Sequence, residues 1–257
     1  MLWMSFLIRT SNAGLMRWLI CAAFALRPMV GLSANIDPAP GEYLAKGGGG
    51  NLIVTRSAEG KLTFSIFTTG ANQHTCGLEG TIQAGSAIVR LGDTDDIRPC
   101  LVTFSKQPGG IYVESEAHEG CRAFCGARAG FDGLYLKPAP GCDSRSVSRS
   151  RARFKQLYGR KEFAKAHTIL ASLMGTCSQT LDGLQTYWIR NDLAVTEYHL
   201  GQFSECLRTL EPFQIDLAST AEEHVKDLPP ADRDSMLPII QAARFNTLRC
   251  RDAQEKR

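Results

Sequence analysis

What this chain lacks narrows its function first. No run of apolar residues approaches the roughly 20 needed to cross a bilayer; the longest, at 19–26, is far shorter. GxSxG, HExxH and the phosphate loop GxxxxGK[ST] are all missing. The five histidines are scattered, and no single cysteine stands out with a histidine of its own. Acidic residues are absent from positions 1–34, which carry Arg9, Arg17 and Arg27. Setting those three aside leaves 26 basic residues against 26 acidic ones, a balance that argues against a general nucleic-acid binder. These absences point to a non-enzyme with no cofactor. A metal is not expected either: Cys121 and Cys125 with His74 or His118 lack CxxC spacing, and Asp93, Asp95 and Asp96 lack the rest of a calcium loop.

Residues 1–34 read as a secretory signal peptide. Arg17 precedes the apolar run 19–26, and the small residues Gly31, Ser33 and Ala34 offer a cleavage site after Ser33 or Ala34. Met16 is the alternative start. Eight cysteines follow: Cys76, Cys100, Cys121, Cys125, Cys142, Cys177, Cys206 and Cys250. An even number in an exported chain predicts four disulfides and a periplasmic or secreted location. Eight cysteines allow 105 pairings. Neighbourhood favours Cys76 with Cys100. Five cysteines lie at or before 142 and three beyond, so full pairing requires one bridge across that line, and Cys142 is the expected donor.

The expected fold class is α+β with two domains, a disulfide-braced β-domain over 35–143 and a helical repeat domain over 144–257. Residues 36–50, rich in Pro and Gly, read as a tether with a first strand at most at Glu42, Tyr43 and Leu44. From Asn51 the hydrophobic period is two: Leu52 and Val54, then Leu62, Phe64 and Ile66 across a turn at 58–61. Further strands are expected at 74–82, 87–91, 101–105, 111–115 and 131–136. About eight short strands in an antiparallel meander predict a small barrel or sandwich filled by its own side chains.

Two segments of this half hold the candidate binding residues. In HTCGLEGTI, 74–82, His74 and Glu79 could form a polar cluster at the barrel mouth. Alternatively Cys76 staples a strand while Gly77 and Gly80 permit a bulge. In CRAFCGARAGFDGLY, 121–135, Arg122, Arg128 and Asp132 could present a charged recognition surface or form a buried Arg-Asp pair that closes the domain.

Beyond the breakers Pro138, Pro140 and Gly141, a basic run of Arg145, Arg149, Arg151, Arg153 and Lys155 opens an amphipathic helix; it could bind phosphate or an anionic surface, but the solvated face of that helix is the commoner explanation. A 40-residue repeat follows. Phe154, Tyr158, Lys161, Phe163, Ala166 and Leu170 recur as Ala194, Tyr198, Gly201, Phe203, Cys206 and Leu210, each set predicting two helices joined by a tight turn. A third pair is expected at 216–227 and 234–250, split by Leu228-Pro229-Pro230.

On Ala194, Tyr198, Gly201, Phe203, Leu210 and Pro212, residues 193–212 resemble a tetratricopeptide repeat, which implies protein or peptide binding. The β half, through HTCGLEG and CGARAGFDGLY, resembles a domain of secreted bacterial proteins without settled function. In shape and compartment it is similar to bacterial envelope lysozyme inhibitors, although their serine-and-lysine loop has no match. Residues 35–143 hold 9 basic and 12 acidic residues, and 144–257 hold 17 and 14. Two functions are therefore expected: a periplasmic binding or inhibitor protein whose acidic barrel meets a cationic protein such as a lysozyme around His74, Glu79 and Asp132, or an envelope scaffold that binds through its helices.

Overall fold

The computed structural model describes residues 35–92, 98–115 and 119–256. The expected signal peptide, the Asp93-Asp95-Asp96 cluster and His118 lie outside the described residues.

Eight strands form one antiparallel sheet: β1 Gly41–Ala45, β2 Gly50–Arg56, β3 Leu62–Thr69, β4 Thr75–Ile82, β5 Ser86–Val89, β6 Cys100–Gln107, β7 Gly110–Ser115 and β8 Gly133–Leu136. Their order is β4-β3-β2-β1-β8-β7-β6-β5. The two edge strands, β4 and β5, are consecutive in the chain and joined by a turn with a Gln83↔Ser86 bridge, so the sheet curls into a near-closed barrel. Period-two alternation sends Leu52, Val54, Phe64, Ile66, Val102, Phe104 and Val113 inward, where they are buried. Phe64 and Phe104 meet edge to face with centroids 5.1 Å apart.

A short β5 leaves the seam half covered, since β4 and β6 are each eight residues long and β5 only four. The stretch from Cys121 to Gly126, starting in the one-turn helix α1 (Glu119–Arg122), fills the rest. The Gly77 N–H donates to Phe124 O (3.2 Å) and the Gly126 N–H to Thr75 O (2.8 Å). Disulfides Cys76–Cys125 and Cys100–Cys121 fasten that stretch to β4 on one side and β6 on the other. The expected Cys76–Cys100 pair is therefore wrong: each cysteine faces the closing stretch across the seam.

Two further expectations are corrected. No bulge forms at Gly77 or Gly80, because the β3–β4 register is unbroken from Leu62↔Ile82 to Thr69↔Thr75. Gly80 instead leaves room for the Phe64 ring and Val89. Residues 36–50 hold the expected first strand, β1, which includes Glu42, Tyr43 and Leu44, but the glycines that follow are no tether: Gly47, Gly48 and Gly49, at φ of +84°, +77° and +78°, make the β1–β2 turn.

The rest is helical: α2 Ser144–Gly159, α3 Phe163–Cys177, α4 Gly183–His199, α5 Phe203–Leu210, α6 Ala221–Val225 and α7 Pro230–Glu255. Asp143 caps α2 by accepting from the Ser146 N–H (2.8 Å), and Asp182 and Gln185 form a reciprocal cap on α4. The 40-residue repeat is present in the backbone. Lys161 (φ +61°) and Gly201 (φ +72°) both turn left-handed between paired helices. The Lys161 N–H donates to Tyr158 O and the Gly201 N–H to Tyr198 O; Glu162 and Gln202 donate likewise to Leu157 O and Glu197 O. The third pair departs from expectation. Gln214 turns left-handed and Asp216 accepts from the Ala218 N–H, so the chain loops there and α6 is only five residues long. Pro230, compatible with a first helical position, starts α7.

Cys142–Cys177 ties the linker to α3, and Cys206–Cys250 ties α5 to α7. The first crosses residue 143 as parity required, yet Cys142 packs among helical residues such as Val147 and Leu173, so it does not fasten the barrel to the helices.

Candidate functional site

Of the five residues singled out in the sequence, His74, Arg122 and Arg128 meet at the 127–129 segment, while Asp132 bonds Ser115 and Glu79 lies on β4. His74 accepts the Arg128 N–H at Nδ1 (3.1 Å), which brings the β4 entry and the closing stretch together. Glu79 points outward from β4, exposed, opposite Ser65. Arg122 spends its guanidinium on the carbonyls of Ala127 and Ala129, both at 3.1 Å, and so pins the loop rather than pairing with Asp132. Asp132 accepts from the Ser115 N–H (2.6 Å) and hydroxyl (3.0 Å), joining β7 to the approach to β8. Next to it, the buried Tyr135 hydroxyl donates to Phe131 O at 2.8 Å. Burial holds that phenol well above its ordinary range, and the Asp132 charge adds to the effect.

A second polar group lies among the helices. Arg151 on α2 donates to Asp192 on α4 (3.0 Å), but burial still pushes the Asp192 carboxyl above the usual carboxylate range. Glu197, 5% exposed, meets His167 and the Thr209 hydroxyl at 3.2 Å each. His199 stacks flat on Phe163 (4.4 Å) and contacts the Tyr158 hydroxyl. Burial, with Arg249 and Lys161 adding, lowers its pKa and favours the neutral ring. These contacts bind α2, α3, α4 and α5 into one stack.

A concavity lies elsewhere, between barrel and helices. Its volume is about 920 Å³. The barrel contributes the glycine turn, Phe67 and Gln73; the helices contribute Asp182, Leu184, Tyr187 and Met236. Phe67 is 52% exposed and Leu184 42%. Two barrel loops join the walls. In the first, the Gly47 N–H donates to Gln179 O (2.7 Å), and Gly48 packs so closely on the Asp182 backbone that a Cβ would overlap it. In the second, the helical turn after β3, Asn72 turns left-handed (φ +57°) and reaches the start of α7. Its side-chain Oδ1 accepts the Ala231 N–H (2.9 Å), while Asp232 accepts the Asn72 N–H (2.8 Å). That exchange is a capping box whose cap residue comes from the other half of the molecule, and it serves a helix whose own N-cap, Pro229, has no side-chain acceptor.

Sequence reasoning missed this cleft. Its only advance signal was the run Gly47–Gly50, since four glycines permit a backbone approach that side chains forbid. The four disulfides fit an oxidising compartment, and among the described residues no helix is long and apolar enough to cross a membrane. No family model, curated protein or solved structure matches this chain.

Proposed function

We propose that this chain is a non-enzymatic protein-binding protein of the periplasm or extracellular space, and that a peptide segment of its partner enters the cleft between barrel and helices. The observation that carries this reading is the exposure of large apolar side chains, Phe67 and Leu184, on opposite walls of a preformed concavity. Tyr187 and Met236 extend the apolar surface. Leu184 and Tyr187 lie in the first half of α4, the helix whose second half opens the tetratricopeptide-like stretch 193–212. Fixed walls favour affinity because little freedom is lost on binding. Peptide arrays probed with the oxidised chain test the proposal. Selected peptides should lose about tenfold or more in affinity for Phe67→Ser and for Leu184→Ser, the loss of roughly one large apolar contact. Unchanged affinity in both variants refutes the cleft.

The acidic balance of residues 35–143 supports a second reading, in which a cationic lysozyme docks on the barrel exterior. Lysozyme titrated with the chain at low and physiological salt decides it. Inhibition that Glu79→Gln weakens and Phe67→Ser leaves intact would move the site to the barrel; no inhibition at micromolar protein removes lysozyme as the partner.

A further inference from the structure

Helix α2 contains five basic residues and no acidic one. They divide by face. Arg151 turns toward α4 and bonds Asp192, whereas Arg145, Arg149 and Arg153 are exposed and recur every fourth residue. A four-residue step advances about 6 Å along a helix and turns it only about 40°, so the three form a nearly straight row, and Arg160 just past the helix falls on the same side. Their partners within the fold are neutral: Arg149 donates to the Ser146 hydroxyl and Arg153 to the Gln156 side chain. Asp143 feels the charge of Arg149, and Glu162 feels Arg153 and Arg160, but no acid lies within the helix itself, so the row is only partly neutralised.

Part of this arrangement works against the fold. Like charges at four-residue spacing repel on a helix surface, and cations near a helix N-terminus oppose its dipole. We propose that the row is a binding site for a linear polymer carrying sulfate or phosphate groups, an anionic polysaccharide. Guanidinium forks suit such groups by paired hydrogen bonds. A membrane surface fits less well: the exposed face between the arginines holds Ser148, Ala152 and Gln156, with no large apolar side chain to enter lipid, and the charges make a line rather than a patch.

The test uses the full oxidised chain with heparin as the probe, at a series of salt concentrations. Binding should weaken with salt, and Arg145→Gln/Arg149→Gln/Arg153→Gln should lower affinity by about tenfold or more at low salt and flatten the log-log salt slope by about 2, the release expected for three ionic contacts. A control, Lys226→Gln/Arg251→Gln, should change neither by as much. The thermal midpoint of the triple variant at low salt supplies a separate readout. It should equal or exceed that of the parent, because repulsion has been removed. A lower midpoint would make the arginines structural and overturn the proposal. So would absent heparin binding, binding unaffected by the triple substitution, or tighter binding to phosphatidylglycerol vesicles than to heparin.

Discussion

Lys161 holds a left-handed backbone conformation that glycine holds forty residues later. For a residue with a Cβ that conformation costs about 1–2 kcal/mol, and the cost is met because the turn lets two helices pack. Lys161→Gly should therefore raise stability by up to about 1 kcal/mol, the relief being partly offset by the freer unfolded chain, and Gly201→Ala should lower it by about 1 kcal/mol. Urea unfolding midpoints at constant slope check both. The equivalent placement of these residues was legible in the sequence as a repeat, because the aromatic and small residues around each turn recur at the same offsets. The strain at Lys161 was not legible, since lysine gives no sign of a positive φ.

At the level of elements, the strands could be read and their seam could not. Alternation such as Leu62-Phe64-Ile66 is imposed by one buried face, so it marks each strand by itself. Where the sheet would stay open depends on relative strand lengths, and β5 shows its shortness only against β4 and β6. Cysteine pairing is hidden for the same reason: Cys76 lies nearer Cys100 in sequence, but the closing stretch lies between them in space. Similarly, α6 was over-extended because Gln214 and Asp216 bend the backbone through local contacts that hydrophobic spacing does not record. The seam carries a prediction. Cys76→Ala/Cys125→Ala should cost about 2–5 kcal/mol, and hydrogen exchange should accelerate first along β4 and the 121–126 stretch. Uniform acceleration across the sheet would mean that the stretch does not act as a local clasp.

For the whole molecule, the decisive contacts are those that hold the barrel against the helices, and they are few. No disulfide joins the two cores; among the described residues the junction is made by the glycine turn, the shared cap at Asn72 and side-chain hydrogen bonds from Gln73 to Ser235 and from Ser144 to Glu42. Asn72→Ala removes an N-cap acceptor and should cost about 1 kcal/mol, with faster amide exchange at the start of α7 and weaker binding of any cleft ligand. An unchanged exchange rate at Ala231 would show that the cap is idle. Of this junction only the glycine run left a mark in the sequence; the cap did not, because Asn72 and Ala231 are separated by most of the chain and neither belongs to a motif.

The nested bridges of the barrel also bear on how the protein must be made. During synthesis Cys76 and Cys100 appear before Cys121 and Cys125, yet the native pattern places the Cys100–Cys121 pair inside Cys76–Cys125. Oxidation in order of appearance would join Cys76 to Cys100 and Cys121 to Cys125, leaving the seam open. Along the rest of the chain the same rule gives the native partners, Cys142 with Cys177 and Cys206 with Cys250. The barrel thus depends on an oxidant that waits or on thiol exchange that repairs, while the helices can be oxidised correctly as they emerge.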